Sequence, residues 1–408
     1  MFEQIRITRA VIGPGTDRLM QLDASAPQEA LSALAGQARL VYADPPFATG
    51  EVFRCKRPYG ASGWARGKPT LLMQGFSDQY SREAYDRLLR GLIENARSLL
   101  SEEGMFALHL DWRSSARARL IAEEVFGEEQ FINEIIWTYE SGGRAKKWFS
   151  RKHDTILLFA RDAQKYRFNL EKVPIPRDGK RRNHMRRGTD ENGRAYSAIT
   201  VGDKEYRYYD DEPTYPSDVW TDVSHLQQRD PERTGWPTQK PLMLLERLIR
   251  PVCEPSDLVV DLCCGSGTTL TAARGLGCRS AGCDLSREAI AFTAYRLGGD
   301  LDILAASEAE GCHLSGDCSG GMVLLTGLDA PFPGFPAPAN GLEAMESWAC
   351  GRIGGDGVFR ADTLARRTRR TPDLPQMLPL PGGEGTPAVL CFDAAGRMLA
   401  FAWRQDAG

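Results

Sequence analysis

The chain has 408 residues, with 51 Lys and Arg against 54 Asp and Glu, a net charge of −3 at neutral pH. That balance excludes a globally basic nucleic-acid binder, so any surface for a polyanion has to be a local patch. The length allows a large core spread over two or three lobes. Ten cysteines without a framework spacing, two of them adjacent at Cys263-Cys264, read as reduced thiols and favour a cytoplasmic setting. No segment has the apolar length that spans a bilayer and Met1 to Arg6 carries no signal-peptide core, so no membrane partner is expected.

In chain order, the apolar run Ala38 to Ala43 predicts a buried strand, and it ends at Asp44-Pro45-Pro46-Phe47. A polar, glycine-bearing loop with Arg54, Lys56, Arg57, Arg66 and Lys68 follows and has the length of a functional lid. From Ser81, leucines and isoleucines at helical spacing predict a helix that Gly104 ends. Met105 to Asp111 reads as a strand, Ser114 to Phe126 as a helix, and Phe131 to Tyr139 and Asp154 to Ala160 as strands. Between Ala163 and Thr234 periodicity is lost in a stretch rich in Arg, Lys, Tyr and Pro, which reads as an insertion. The β/α alternation resumes with a helix over 242–249, a strand over 258–262, a helix over 269–276, a strand over 279–283 and a helix over 287–297. Such repeats imply a doubly wound sheet. Beyond Gly299 the pattern fades, 320–341 reads as a Pro/Gly linker, and 389–403 as a terminal hairpin needing a packing partner. That partner is the insertion, the sheet or a second subunit.

Ligand sites in open α/β sheets lie at the carboxyl ends of strands, and two motifs occupy such ends. The first is Asp44 to Phe47. The second is Asp261-Leu262-Cys263-Cys264-Gly265-Ser266-Gly267-Thr268-Thr269, a strand, a glycine turn and a helix start, with Asp284 ending the next strand. Gly265 and Gly267 permit close backbone approach to a ligand, Thr268 or Thr269 is placed to cap the helix, and Asp284 to accept hydrogen bonds from ribose hydroxyls. The third glycine of the dinucleotide fingerprint is missing, so a nucleoside cofactor without a pyrophosphate fits better than a nicotinamide.

These motifs, with Trp236-Pro237-Thr238-Gln239-Lys240-Pro241, Asn133 to Trp137 and Phe149 to Ile156, resemble the β-class amino-methyltransferases, which methylate adenine N6 or cytosine N4 of DNA with S-adenosylmethionine. The motif order, catalytic first, recognition region in the middle and glycine loop late, is also that of the class, especially of modification enzymes of restriction systems. The resemblance covers roughly residues 38 to 297. It implies an α/β fold, a circularly permuted Rossmann-like methyltransferase sheet with an inserted DNA-recognition domain and a small C-terminal extension. The expected division is 1–162 for the catalytic half, 163–234 for the recognition insertion, 235–299 for the cofactor half and 300–408 for an extension without an assigned role. A catalytic core complete by Gly299 implies that truncation there leaves cofactor binding.

The resemblance assigns Asp44, Pro45, Pro46 and Phe47 to catalysis and Asp261, Cys263, Gly265, Gly267, Thr268, Asp284, Thr238 and Lys240 to the cofactor. Two departures stand out: Leu262-Cys263 replaces the usual Pro-Phe, and Phe47 replaces tyrosine, keeping a stacking face without a hydroxyl. Aspartate at 44 favours adenine, because the cytosine-N4 enzymes more often carry serine; cytosine-N4 methylation is the runner-up. RNA methylation ranks third, since the motif order is that of DNA enzymes, and a catalytically silent DNA-binding subunit is a reading of a different class, opposed by retention of Asp44, Gly265, Gly267 and Asp284.

DNA contact is expected from the basic aromatic loop with Arg144, Lys146, Lys147, Arg151 and Lys152, and from Arg181 and Arg182 in a second basic cluster that also holds Arg186 and Arg187. Double-stranded DNA is the implied partner, with a homodimer and a restriction endonuclease as further candidates. Cys312, His313, Cys318 and Cys350 lack metal-site spacing, and no metal is expected. His109 reads as a packed, hydrogen-bonded histidine, while Asp111 either faces the pocket or caps the helix after it.

Overall fold

The computed structural model describes residues 1–140, 145–177, 184–308, 311–330 and 341–404, without the side chain of Gln74. The chain opens with β1 (Phe2–Ile5), β2 (Arg9–Ile12), β3 (Asp17–Gln21), α1 (Glu29–Ser32) and β4 (Ala38–Ala43). Next come β5 (Val52–Pro58), α2 (Gly60–Arg66), β6 (Thr70–Ser77), α3 (Arg82–Leu99), β7 (Leu100–Asp111), α4 (Ser115–Phe126), β8 (Phe131–Thr138) and β9 (His153–Ala160). The middle region holds β10 (Arg186–Thr189), β11 (Ala195–Val201), β12 (Lys204–Tyr209) and β13 (Val219–Trp220). After these stand α5 (Leu242–Ile249), β14 (Leu258–Asp261), α6 (Thr268–Gly275), β15 (Arg279–Asp284), α7 (Arg287–Leu297) and β16 (Leu301–Leu304). After β16 every regular element among the described residues is a strand: β17 (His313–Ser319), β18 (Met322–Asp329), β19 (Met345–Ile353), β20 (Phe359–Arg366), β21 (Met377–Pro379), β22 (Thr386–Asp393) and β23 (Met398–Trp403).

Fifteen of these strands form one sheet, in which β3-β15-β14-β4-β7-β9-β8 is the block that carries the motifs. Within it only β9 runs against its neighbours. Strands β4 and β14 are buried at almost every position, as expected of parallel strands covered on both faces. From β14 the chain winds through α6 to β15, and from β4 through α3 to β7 on the other side, so the β4/β14 seam is a topological switch point. The sheet is thus Rossmann-like with its motif halves in permuted order. Helix α3 starts where Ser81 Oγ accepts the Ala84 amide at 3.2 Å, and its buried stripe of Leu89, Leu92, Ile93, Ala96 and Leu99 packs on β4 and β7.

The predicted strand at Met105 begins earlier, at Leu100, so Gly104 lies inside β7 rather than at a helix end. A Cβ there would stand 2.6 Å from the Ala38 carbonyl oxygen, which makes close strand approach its role.

The region after Gly299 differs most from expectation. β16 lies inside the main sheet, parallel to β3 and antiparallel to β2, so the sheet continues past that residue. Residues 322–329 form a strand rather than a linker, paired with β17 across the Gly320-Gly321 turn; 331–340 fall outside the described residues. β22 and β23 form the expected hairpin, and its partners are β19 and the N-terminal β1. Its apolar faces are therefore satisfied within the chain, and they no longer argue for a second subunit. In the middle region, β10-β11-β12 form a separate small sheet, whereas β13 joins the edge of the main sheet beside β8.

Candidate active site

The carboxyl ends of β4, β14 and β15 open into one cleft of about 1130 Å³, lined by Asp44 to Phe47, Asp261 to Ser266 and Asp284. The two motifs, far apart in sequence, meet because Asp261 pairs in register with Tyr42 and the Leu262 amide donates to the Tyr42 carbonyl at 3.0 Å.

Asp44 is held by one oxygen. Lys240 Nζ donates to its Oδ2 at 2.6 Å, while Oδ1 is buried and has no hydrogen-bond partner among the described residues. The same ammonium lies 5.1 Å from the centre of the Phe47 ring. Lys240 thus stands on the Asp44 carboxylate, in the cleft that also holds the glycine turn. Thr238 is half-buried on the cleft wall, and Gln239 braces its segment by accepting from Thr234 and donating to the Glu232 carbonyl.

The backbone after Asp44 is fixed by residues without a motif. Tyr85 OH donates to the Pro46 carbonyl at 2.8 Å, and buried Asp78 accepts the amides of Ala48 and Thr49 at 2.8 and 2.9 Å. Ala48 sits at φ +55, a left-handed conformation that costs a non-glycine residue and here is held by Asp78. Below Phe47, fully buried His109 donates from Nε2 to Asp154 Oδ2 at 3.2 Å and shares a hydrogen bond between Nδ1 and Tyr42 OH at 2.8 Å, as its packed reading anticipated. Its ring is stacked with Phe47 at 6.3 Å between centroids. Asp111 caps the turn to α4 by accepting the Arg113 amide at 2.8 Å.

At the glycine turn, Gly265 and Gly267 have φ of +50 and +75, and a Cβ on them would stand 2.9 Å from Trp236 Nε1 and 2.7 Å from Thr293 Cγ2. Both glycines are required by torsion and by space. Neither threonine caps α6: Gly267 takes the N-cap position, Thr268 Oγ1 accepts from Arg296 at 2.9 Å, and the Thr269 side chain bonds Asp261. Asp284 accepts the Gly265 amide at 2.9 Å and the Ser286 amide at 2.9 Å. Burial pushes the Asp284 carboxyl up to about 6 despite these donors, and pushes Asp261 up to about 7 despite bonds from Thr269 and the Cys263 amide. Cys263 lines the cleft where the family carries an aromatic ring, and Leu285, 72% exposed beside it, is an apolar face that the sequence reading missed.

The basic aromatic loop joins β8 to β9, and β8 runs parallel to β7 and β4, so the loop leaves the sheet on the edge where Asp44 lies. Lys146 and Lys147 are exposed, Phe149 is fully exposed, and the Arg151 guanidinium stacks 3.6 Å over Trp112. Lys152 is half-buried and its carbonyl accepts the Tyr139 amide. Arg144, Arg181 and Arg182 lie outside the described residues. Arg186 and Arg187, from the same second cluster, are ion-paired with Glu205 and Asp210 on the small sheet, which favours a solvated face for them.

An α/β, Rossmann-like sheet thus brings a carboxylate motif and a glycine turn into one cleft at its switch point, where open α/β folds bind ligands. The chain belongs to the DNA methylase family of N6/N4 methyltransferases, whose family model matches residues 38–295. It is 24% identical over 263 residues to the Type II methyltransferase M.HpaI of Haemophilus parainfluenzae, covering 64% of this chain and 69% of that protein. It is 30% identical over 173 residues to M.BglII of Bacillus subtilis, covering 42% and 43% of the two chains. With the DNA adenine methyltransferase YhdJ of Escherichia coli (strain K12) it shares 24% identity over 259 residues, 63% of this chain and 75% of that one. Among solved structures, the M1.HpyAVI-SAM complex superimposes with a TM-score of 0.42 at 17% identity, over 69% of this chain and 98% of that one. The cytosine-N4-specific PvuII DNA methyltransferase gives 0.44 at 16% identity, over 70% and 89%.

The methyl donor of the family is S-adenosylmethionine, and the cleft fits it: a turn open only to glycine, a carboxylate at the end of the next strand and an apolar Leu285 face. Among the described residues no group of three or more His, Cys, Asp or Glu side chains could hold a metal ion, and no helix is long and apolar enough to cross a membrane. All ten cysteines are free thiols.

Proposed function

We propose that the chain transfers a methyl group from S-adenosylmethionine to N6 of an adenine flipped out of double-stranded DNA. The observation that carries this reading is the half-occupied Asp44 carboxylate: Lys240 takes Oδ2 and leaves Oδ1 buried without a hydrogen-bond partner beside the glycine turn. A buried acceptor of this kind is costly unless a ligand donor reaches it. The amine of a flipped base is such a donor.

The donor supplies a methyl group on a sulfonium. Asp284 accepts hydrogen bonds from its ribose hydroxyls, the turn at Gly265 to Gly267 admits it, and Leu285 covers its adenine ring. Asp44 Oδ1 and the Pro45 carbonyl accept the two amine hydrogens of the target base, which draws nitrogen toward tetrahedral geometry. Phe47 stacks on that base, braced from behind by His109. An N–C bond forms as the S–C bond breaks, and the proton made acidic by transfer leaves through the Asp44 oxygen that held it. Positioning and electrostatics lower the barrier, without deprotonation before attack.

Aspartate in the motif and a relative named as a DNA adenine methyltransferase support N6 over cytosine N4. Relatives named Type II methyltransferases support a modification role beside a restriction endonuclease. Residues 163–234 are proposed to choose the DNA sequence, and the β8–β9 loop to hold its phosphates. Mass spectrometry of digested product DNA tests the proposal: N6-methyladenine is expected, and N4-methylcytosine would replace the base assignment while leaving the site.

A further inference from the structure

The family match ends at residue 295, yet Glu346 of β19, beyond it, contacts Arg57 on the ribbon that lines the cleft. The β5–β6 ribbon follows the Asp44 motif, and Phe53, Met73, Phe76 and Ser77 from it line the cleft. Three contacts fix this ribbon. At its open end Asp78 grips Ala48 and Thr49, two and three peptide bonds from the motif's last proline. In the middle, the Lys56 amide donates to the Gly235 carbonyl at 3.2 Å, next to Trp236. At the far end Arg57 Nε donates to Glu346 Oε1 at 2.9 Å, and a second contact joins Arg57 Nη2 to Glu346 Oε2.

That last pair is unusual in its setting. Both side chains are 2% exposed, and the Arg57 guanidinium lies 4.1 Å over the Phe292 ring of α7. Phe292 in turn packs on Trp236, which stacks with Phe76 of the ribbon and closes on Gly265. A buried ion pair is a weak source of stability, because desolvation offsets the attraction; what it supplies is direction. The Arg57 Nε–H bond to Glu346 Oε1, with a second guanidinium nitrogen against the same carboxylate, sets one register for β5 against β19. An apolar contact of the same volume does not.

We infer that Glu346 and Arg57 are positioning residues for methyl transfer, and that the C-terminal strands, through β19, are a working part of the catalytic centre. The chain of contacts runs from Glu346 through Arg57, the ribbon and Asp78 to Ala48, and so sets the Asp44 motif against the glycine turn. The inference rests on the proposed transfer chemistry for its kinetic readout only. It also reverses the expectation that the chain up to Gly299 holds a complete catalytic core.

The test uses the full chain with Glu346→Gln and with the apolar double variant Arg57→Met/Glu346→Leu. The single variant strands a buried guanidinium and is expected to lower Tm. The double variant removes both charges, which in buried pairs is often neutral or stabilising, and keeps Tm near that of the unaltered protein. Two measurements are made on the double variant: the single-turnover rate at saturating S-adenosylmethionine and DNA, and hydrogen exchange of the 48–58 amides. A rate reduced at least tenfold and exchange of 48–58 accelerated at least tenfold, with cofactor affinity within threefold, is the expected result. Wild-type exchange and wild-type rate at unchanged Tm would overturn the inference and leave the proposed function intact. If the unaltered protein transfers no methyl group, the proposed function fails and the exchange measurement alone decides the role of the pair.

Discussion

Lys240 Nζ lies 2.6 Å from Asp44 Oδ2, although the two residues are 196 positions apart. In the proposed chemistry this contact puts the lysine of the Trp236 to Pro241 segment on the acceptor side of the cleft. Lys240→Met should therefore slow methyl transfer and spare cofactor binding. Loss of a charged hydrogen bond at the catalytic carboxylate is worth about 1.5–3 kcal/mol, which corresponds to roughly a 10- to 150-fold fall in single-turnover rate. Calorimetry with S-adenosylmethionine should give an affinity within threefold of the unaltered protein. A large loss of affinity with normal chemistry would return Lys240 to the cofactor side.

Cofactor affinity should depend on the ionisation of Asp284. With its carboxyl raised to about 6 by burial, the ionised acceptor needed by the ribose is reduced to a minor fraction at pH 5. Affinity is expected to fall about tenfold between pH 7.5 and pH 5, and Asp284→Asn should bind more weakly and lose that pH dependence. Equal slopes in the two proteins would detach Asp284 from the ligand.

The same burial has a consequence for stability. Asp261 and Asp284, raised to about 7 and about 6, retain protons in the folded chain that the unfolded chain releases near pH 4. Over that window the folded state binds more protons, so stability falls as pH rises from 4 through 7. Thermal unfolding of the ligand-free protein across pH 5 to 8 should show this decline, and Asp261→Asn should flatten it.

Gly267→Ala should destabilise the chain by about 1–3 kcal/mol, the usual range for a strained backbone position, because φ is +75 and the new Cβ would meet Thr293 at 2.7 Å. Binding of S-adenosylmethionine should weaken together with Tm. An unchanged Tm would mean that the turn relaxes without cost.

Exposed Lys146 and Lys147 lie in the β8–β9 loop, which leaves the sheet at the carboxyl end of β8. If both contact phosphates, Lys146→Ala/Lys147→Ala should reduce the slope of log affinity against log salt by about 1.8, on all DNA sequences alike. An unchanged slope would make the loop an ordinary solvated surface.

Much of this site is legible from residue order. Asp44 and Asp284 stand at strand ends, Gly265 and Gly267 in the turn after β14, and α3, α5 and α7 follow from helical spacing, with serine caps at the starts of α3 and α7. The residues that hold the site carry no local pattern. Asp78, Tyr85, Arg57 and Glu346 act through contacts with segments far off in the chain, and only packing brings them together. Strands β1 to β3, β5 and β16 are short or partly polar, so their alternation is too brief to read. Arg186 and Arg187 look like a basic patch until their acidic partners, Glu205 on β12 and Asp210 just after it, are in place.

The most direct test of the central claim is mass spectrometry of DNA digested after incubation with methyl-labelled S-adenosylmethionine and either the unaltered protein or Asp44→Ala. The account predicts labelled N6-methyladenine from the first, at least a hundredfold less from the second, and cofactor affinity preserved in both. Label appearing in adenine at the same rate without the Asp44 carboxylate would contradict it.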